Sequence, residues 1–117
     1  MKVVGLFRNA QRLVDVPAGG AVFHEGDAGV EMYGVVSGEV QLQSQGRVIA
    51  TLGPDDVFGE MAVVDGSPRM ATAVAVTPTQ LAAIDRQRFL FLVAETPMFA
   101  LSVMSAMADR FRAQVQA

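Results

Sequence analysis

The sequence contains no cysteine, no tryptophan and only one histidine. Without cysteine the chain has no disulfides, no thiol nucleophile and no thiolate metal ligand. His24 by itself does not provide the clustered imidazoles of a metal-dependent enzyme, so we expect a structural or surface role for it. No serine has a recognisable histidine and acid set around it. The sequence therefore argues against an enzyme and implies no metal or cofactor.

Positive charge is also scarce. Nine basic residues against twelve acidic residues give a net charge of −3, and the isoelectric point is about 4.9. The basic residues are scattered along the chain, whereas a nucleic-acid-binding domain concentrates them in a patch or stripe. We expect no nucleic-acid partner for this chain, and any anion site in it has to be local.

Long apolar runs are missing as well. The longest, residues 97–108, is too short for a membrane span, which takes roughly 20 residues. The first twelve residues lack the apolar core and cleavage site of a signal peptide. The absence of cysteine fits a reducing compartment. These features predict a cytoplasmic protein without a membrane span.

What the sequence does contain is typical of one globular domain over residues 1–117. Hydrophobic residues make up 51%, charged residues 18%, and the mean hydropathy is +0.35, which suits a chain with a single core. Glycines recur at short intervals and separate short apolar or alternating segments, a pattern of many short strands as in a barrel or jelly roll. We predict an N-terminal arm or short helix over 1–11, a β-roll over 12–85 and helices over 86–117.

Within the roll, several segments have a clear strand pattern. In residues 39–43 apolar and polar residues alternate, which places Val40 and Leu42 inside. Gly46 marks a hairpin turn to the next strand. Residues 32–36 are apolar at nearly every position, which indicates a strand covered on both faces.

After Asp85 the period becomes helical. Residues 86–94 are predicted to form a helix with Phe89, Leu92 and Val93 on one face, and Thr96 and Pro97 to begin a second helix. Five apolar residues of the second helix are spaced three, four, three and four apart: Leu101, Met104, Ala108, Phe111 and Val115. Such a stripe packs either against its own domain or against another helix, and both remain open. Arg110 and Arg112 are expected to be solvated.

The stretch 58–73 combines glycine, carboxylate and arginine. Gly59 precedes a short apolar run that suits a brief helix, whose first amides attract an anion. Arg69 follows a turn and can grip a phosphate with two donors. Glu60 would repel a phosphate but can accept hydrogen bonds from sugar hydroxyls. Taken singly, the arginine suits a solvated surface and the Gly-Glu pair a helix entry; taken together, they describe a nucleotide site.

This stretch closely resembles the phosphate-binding cassette of cyclic nucleotide-binding domains, the type found in the catabolite activator and in regulatory subunits of cyclic-AMP-dependent kinase. The family pattern is F-G-E, any residue, A, an aliphatic, five variable residues, R, any residue, A, then T or S. The matching residues here are Phe58, Gly59, Glu60, Ala62, Val63, Arg69, Ala71 and Thr72. The resemblance extends from PAGGAVFHEGDAG to IDRQRFLFLV.

The resemblance implies a β-roll or jelly roll with a short cassette helix and two C-terminal helices, and a cyclic nucleotide as ligand. Arg69 and the amides after Gly59 would hold the phosphate, and Glu60 the ribose 2′-hydroxyl. The implied ligand-binding residues are Gly59, Glu60, Met61, Ala62, Arg69, Met70, Ala71 and Thr72. Family members that accept cyclic GMP often have a hydroxyl where this chain has Met70, so cyclic AMP is favoured, with cyclic GMP second. Gln114 and Val115 stand where the bacterial activator offers hydroxyls to the purine.

The resemblance also implies a readout. Ligand binding would let the helices after the roll move, with the helix that carries Phe89 and Leu92 repacking on Met61 and Val63. The final helix would then report to a second copy of the chain or to an effector that is not in this sequence. The alternative is a degenerate domain of the same fold that serves as an interaction or dimerisation module without nucleotide.

Overall fold

The segments between the glycines form short strands, and the helical pattern begins where the sequence predicts it. The structure, a computed structural model, describes residues 2–115. Its elements, in chain order, are β1 (Leu13–Val16), β2 (Ala21–Phe23), β3 (Glu31–Ser37), β4 (Val40–Ser44), β5 (Arg47–Leu52), β6 (Val57–Phe58), α1 (Met61–Val64), β7 (Thr72–Ala75), β8 (Thr79–Asp85), α2 (Arg86–Glu95) and α3 (Met98–Val115).

The strands form two antiparallel sheets of four strands each. One has the order β1-β8-β3-β6 and the other the order β2-β7-β4-β5. This confirms the predicted class, mainly β of the jelly-roll type with a short cassette helix and flanking helices. The predicted barrel is not closed, because no strand pair joins the two sheets within residues 2–115. The edge strands β2 and β6 have three and two residues, so they offer few backbone groups for such a pair.

The first hydrophobic core lies between the two sheets. Val35 and Leu81 contribute from one sheet, Leu42 and Ala73 from the other, and all four are buried. Val40 and Leu42 point into this core, as the alternation in β4 predicts, and the intervening Gln41 is partly exposed. Inward apolar residues from facing sheets are the usual core of a sandwich.

A tight hairpin joins β4 to β5 at the predicted turn. Ser44 pairs with Arg47, and the two residues between them, Gln45 and Gly46, both have positive φ, 52° and 78°. Two central residues of positive φ define the turn whose twist matches that of the flanking strands. Gly46 is therefore required for its backbone conformation.

The second hydrophobic core lies between the β1-β8-β3-β6 sheet and the helices. Met32 and Ile84 come from the sheet, and Leu92, Phe99 and Val103 from α2 and α3. The Asp85 side chain accepts a 2.8 Å hydrogen bond from Arg88 N and so caps α2. Phe89 and Val93 pack against the same core, which confirms the predicted helix face.

The described N-terminal residues form an arm with turns over residues 4–9. The arm docks through Phe7, which is buried and lies 5.9 Å from Phe99, ring centroid to ring centroid. Gly34 makes room for it, because a Cβ there would come within 2.5 Å of the Phe7 ring. Gly5 N also donates a 3.0 Å hydrogen bond to the Asp55 side chain. The arm is thus part of the second core.

We expect Phe7→Ala to lower the free energy of unfolding by about 3–5 kcal/mol, because it removes a buried ring and leaves a cavity. Val4→Ala is the control within the same arm, since Val4 is 80% exposed, and it should change that free energy by less than about 0.5 kcal/mol. Urea denaturation followed by circular dichroism measures both. Equal effects of the two substitutions would show that the arm does not contribute to the core.

Candidate functional site

The turn between β6 and α1 is shaped by Gly59. Its φ is +74°, and a Cβ at this position would lie 2.8 Å from Arg69 Nη1. Glycine is therefore needed both for the backbone conformation and for the approach of the arginine. In α1, Val63 N and Val64 N donate to Glu60 O, and the amides of Met61 and Ala62 precede them in the first turn. Such amides have no partner inside their own helix and carry partial positive charge.

Arg69 is buried, with 7% of its surface exposed. Its Nη1 donates a 3.2 Å hydrogen bond to Gly59 O, its guanidinium carbon lies 4.1 Å from the centroid of the Phe23 ring, and its Nε has no hydrogen-bond partner. Burial lowers the pKa of Arg69 from its ordinary value. The interpretation of this arginine as a solvated surface group is therefore wrong.

No carboxylate in the described part of the chain forms an ion pair with the buried Arg69, although Glu31, Asp27 and Glu60 are near enough to raise its pKa against the effect of burial. None of the ion pairs formed by residues 2–115 includes Arg69. A guanidinium has five N–H donors, and here a single carbonyl oxygen accepts from it. A buried cation of this kind is stabilised by any anion that reaches it.

A cavity of about 250 Å³ lies beside Arg69. Seven of the eight residues predicted to bind ligand line it: Gly59, Glu60, Met61, Ala62, Arg69, Met70 and Ala71. The eighth, Thr72, is outside the lining, and its hydroxyl accepts a 2.9 Å hydrogen bond from Glu25 N. The remaining lining comes from strands and from α3, including Leu42, Ile49, Met107 and Phe111. The sequence alone did not predict these four as cavity residues.

Glu60 is also buried, and its partner is an arginine of α3. Its Oε1 accepts a hydrogen bond from Arg110 Nη1, while Arg110 Nη2 donates to Val57 O. The prediction that Arg110 is solvated is wrong, because α3 passes the β6–α1 turn and leaves only 13% of that side chain exposed. Arg112 is exposed, as predicted, and pairs with Asp109. The Glu60 side chain does not cap α1, so its carboxylate is not used for helix entry.

The site therefore combines two kinds of surface. Arg69 and the first amides of α1 offer positive charge, while Glu60 offers an acceptor held by Arg110. Leu42, Ile49 and other apolar side chains form the rest of the wall. A cavity of mainly apolar lining with a few oriented polar groups is the usual form of a small-molecule site. The fold and the site together are those of a jelly-roll domain with a small-molecule cavity that has a positive group in its wall.

The comparison with known families agrees with this class. A family model described as "Cyclic nucleotide-binding domain" matches residues 13–96, which contain every described strand and all of α2. The chain belongs to the cyclic nucleotide-binding domain family. The resemblance of the cassette at 58–73 is thereby confirmed as family membership.

Individual relatives are regulatory proteins. The chain is 40% identical over 101 residues to a cyclic AMP receptor protein of Thermus thermophilus, a match that covers 82% of this chain and 47% of the relative. The crystal structure of the catabolite activator protein of Thermus thermophilus matches with a TM-score of 0.73 and 38% identity, over 86% of this chain and 50% of that chain. This chain thus spans about half the length of these relatives.

A second solved structure is similar over most of both chains. Described as "A cyclic-GMP-dependent signalling pathway regulates bacterial phytopathogenesis", it matches with a TM-score of 0.72 and 29% identity, over 88% of this chain and 85% of that chain. Among residues 2–115, no group of His, Cys, Asp or Glu side chains is placed to hold a metal ion. No described helix has both the length and the apolarity that a membrane crossing requires.

We expect Arg110→Ala to lower the free energy of unfolding by about 3 kcal/mol, because it leaves the buried Glu60 carboxylate without its cation. Arg112→Ala is the matched control on the same helix; its exposed pair with Asp109 should contribute less than about 1 kcal/mol. Thermal and urea denaturation at low salt measure the difference. Similar losses for both variants would mean that the Glu60–Arg110 pair contributes no more than a surface pair.

Proposed function

We propose that this chain is a regulatory domain that binds cyclic AMP in the cavity beside Arg69. The observation that carries the proposal is the buried Arg69 guanidinium, which has one carbonyl partner, no carboxylate partner and a place in the cavity wall. The cyclic phosphate is a monoanion at neutral pH and supplies the missing charge. The role is one of binding and not of catalysis.

The proposed pose assigns a part of the ligand to each polar group. Arg69 and the amides of Met61 and Ala62 hold the phosphate, and Glu60 accepts from the ribose 2′-hydroxyl. Ala71 is small and lines the cavity beside them, so that the ligand can approach the backbone. Thr72, which lies outside the lining, would add only a hydroxyl proton, since its oxygen already accepts from Glu25 N.

The purine is assigned to the apolar part of the cavity. Leu42 and Ile49 from the sheet and Phe111 from α3 offer the apolar surface that a purine ring requires. Met70 also lines the cavity and has no hydroxyl to hydrogen-bond a guanine. Similar proteins are named for cyclic AMP and for cyclic GMP, so the preference for cyclic AMP rests on Met70. Gln114 is the polar side chain that α3 brings to this end.

We also propose that the ligand shifts the position of α3. Arg110, Phe111 and Gln114 of α3 line the same cavity as Arg69, and Arg110 holds the carboxylate that the ribose would use. A ligand can drive such a shift only as far as it prefers one position of the helix. The helix would pass the signal to a second copy or to an effector.

Isothermal titration calorimetry tests the site directly. We expect the wild-type chain to bind cyclic AMP more tightly than cyclic GMP, and Arg69→Glu to abolish binding with the fold intact. Loss of the phosphate partner costs roughly 2–5 kcal/mol, which is roughly 30- to several-thousand-fold in affinity. Arg8→Glu makes the same charge change at an exposed position and is expected to bind as the wild type does.

Two outcomes would contradict the proposal. If Arg69→Glu binds with wild-type affinity, the ligand does not bind at Arg69. If the wild type binds neither nucleotide, the function is that of the alternative, an interaction module without nucleotide.

Hydrogen exchange on the same samples tests the shift of α3. Its amides are expected to exchange at a different rate after cyclic AMP is added to the wild type and at the same rate in Arg69→Glu; no change in either would remove the coupling.

We further propose that α3 pairs with α3 of a second copy. Four residues of the apolar stripe are exposed: Leu101 by 48%, Met104 by 59%, Phe111 by 67% and Val115 by 64%. Their spacing gives one continuous face over much of the helix. The packing alternative of the sequence analysis does not account for Leu101, Met104 and Val115, because the domain itself leaves them uncovered; Phe111 also lines the cavity.

Light scattering measures the mass that this pairing predicts. Met104→Asp places a charge in the middle of the stripe without touching the cavity lining, and we expect it to reduce the mass from two copies to one. Val4→Asp introduces the same charge at another exposed apolar residue, 80% exposed on the arm, and should leave the mass unchanged. The same mass for wild type and Met104→Asp would exclude a dimer through α3.

A further inference from the structure

The guanidinium of Arg69 lies in a pocket of its own, and Gly29 forms one side of it. Gly29 immediately precedes Val30 and β3, and a Cβ built on it would be 2.4 Å from Cζ, Nε and Nη2 of Arg69. Real Cβ atoms essentially never come within 3.0 Å of a heavy atom outside their own and the adjacent residues. The position of the guanidinium therefore depends on the missing side chain at residue 29.

Two other sides of this pocket are closed by the Phe23 ring and the Gly59 backbone, and its open side is the cavity that Arg69 lines. The Phe23 ring is 4.1 Å from the guanidinium carbon, a distance at which a cation is attracted to a ring face. Gly59 lies against Nη1, where a Cβ would be 2.8 Å away. An atom added at Gly29 would thus push the guanidinium away from this position.

The loop that carries Gly29 is fixed to the backbone of Arg69. Gly26 N donates a 2.8 Å hydrogen bond to Arg69 O, and Arg69 N donates a 2.8 Å hydrogen bond to Asp27 O. Because of these two bonds the loop and Arg69 keep their separation, and a clash at Gly29 is not relieved by moving the loop. The flexible end of the Arg69 side chain has to move instead.

We infer that Gly29 is a positioning residue for Arg69, and that it sets the affinity for the phosphate of the ligand without contacting the ligand. The effect on ligand affinity rests on the proposed function. The effect of Gly29 on the position of the guanidinium rests on the geometry of Arg69 alone. The backbone at Gly29 has no left-handed φ, so alanine is compatible with its conformation. Gly29→Ala would displace the guanidinium and leave the roll intact.

The first test compares two glycine substitutions by calorimetry. Gly29→Ala is expected to weaken cyclic AMP binding by roughly 10- to 150-fold, the loss of one charge-assisted interaction, with an unchanged melting temperature. Gly53→Ala is the control, since nothing lies within 4 Å of a Cβ at Gly53 and its φ is also not left-handed. Wild-type affinity in Gly29→Ala would overturn the inference.

A second probe separates phosphate binding from a general change of the cavity. Adenosine has the base and sugar but no phosphate, so its weak binding, followed by NMR titration, should be equal in wild type and Gly29→Ala. A parallel loss of adenosine and cyclic AMP binding would show that the cavity as a whole has changed, and would also overturn the inference.

A third readout needs no ligand. The Nε–H of Arg69 is buried, has no hydrogen-bond acceptor and belongs to a guanidinium that lies over the Phe23 ring, so its 1H–15N signal should be protected from solvent and shifted by the ring. Arg69→Lys identifies the signal by removing it. In Gly29→Ala the signal should move to the position of exposed arginines, and in Gly53→Ala it should stay. An unmoved signal in Gly29→Ala overturns the inference.

These readouts distinguish the two possible failures. A wild type with the protected signal but no affinity for cyclic nucleotides would remove the proposed function and leave the role of Gly29 standing. If Gly29→Ala does not fold, the double variant Gly29→Ala/Arg69→Ala should have the melting temperature of Arg69→Ala alone. The guanidinium that would clash with the new Cβ is then absent. Failure to restore it would overturn the inference.

Discussion

The burial of one positively charged group, the Arg69 guanidinium, is the constraint on which the arrangement of this domain depends. Taking a guanidinium out of water costs several kcal/mol unless it is paired, and Arg69 is offered only one carbonyl oxygen and the face of Phe23. The turn at Gly59 and the loop at Gly29 both lack side chains where the guanidinium lies. The protein thus keeps a buried charge that forms no ion pair within residues 2–115, and the proposed anion site rests on this charge.

A second buried charge connects this site to the last helix. Glu60 follows Gly59 directly, and its cation, Arg110, comes from α3 and also holds Val57 O of β6. The cavity is therefore assembled from the cassette, the sheet and α3 together. A change in the hydrogen bonds of Glu60 would affect both the cavity wall and the contact with α3. Glu60 is therefore the physical basis of the proposed coupling between ligand binding and the position of α3.

Sequence patterns predicted the features that depend on neighbouring residues. The β4–β5 hairpin, the alternation in β4, the helix after Asp85 and the jelly-roll class follow from local turn chemistry and periodicity. Contacts between distant residues were missed or misread: Arg110 reaches Glu60 across fifty positions, and Phe7 fills the space above Gly34. Neither contact can be predicted from neighbouring residues. A buried carboxylate needs a cation and a missing Cβ leaves a space, but the sequence pattern does not indicate which distant residue supplies the cation or fills the space.

The burial along α3 is uneven. Its fully buried residues, Phe99, Ser102 and Val103, all lie in the first two turns, where Phe7 and the second core hold them. From Val103 to Val115 the helix extends about 18 Å at 1.5 Å per residue. A tilt of about 10° around the anchored turns would move the far end by about 3 Å. Because Arg110 in the outer part of α3 donates to Glu60 and Val57, a change in the hydrogen bonds of Glu60 would act on the helix beyond its anchored turns, where a small tilt produces the largest displacement.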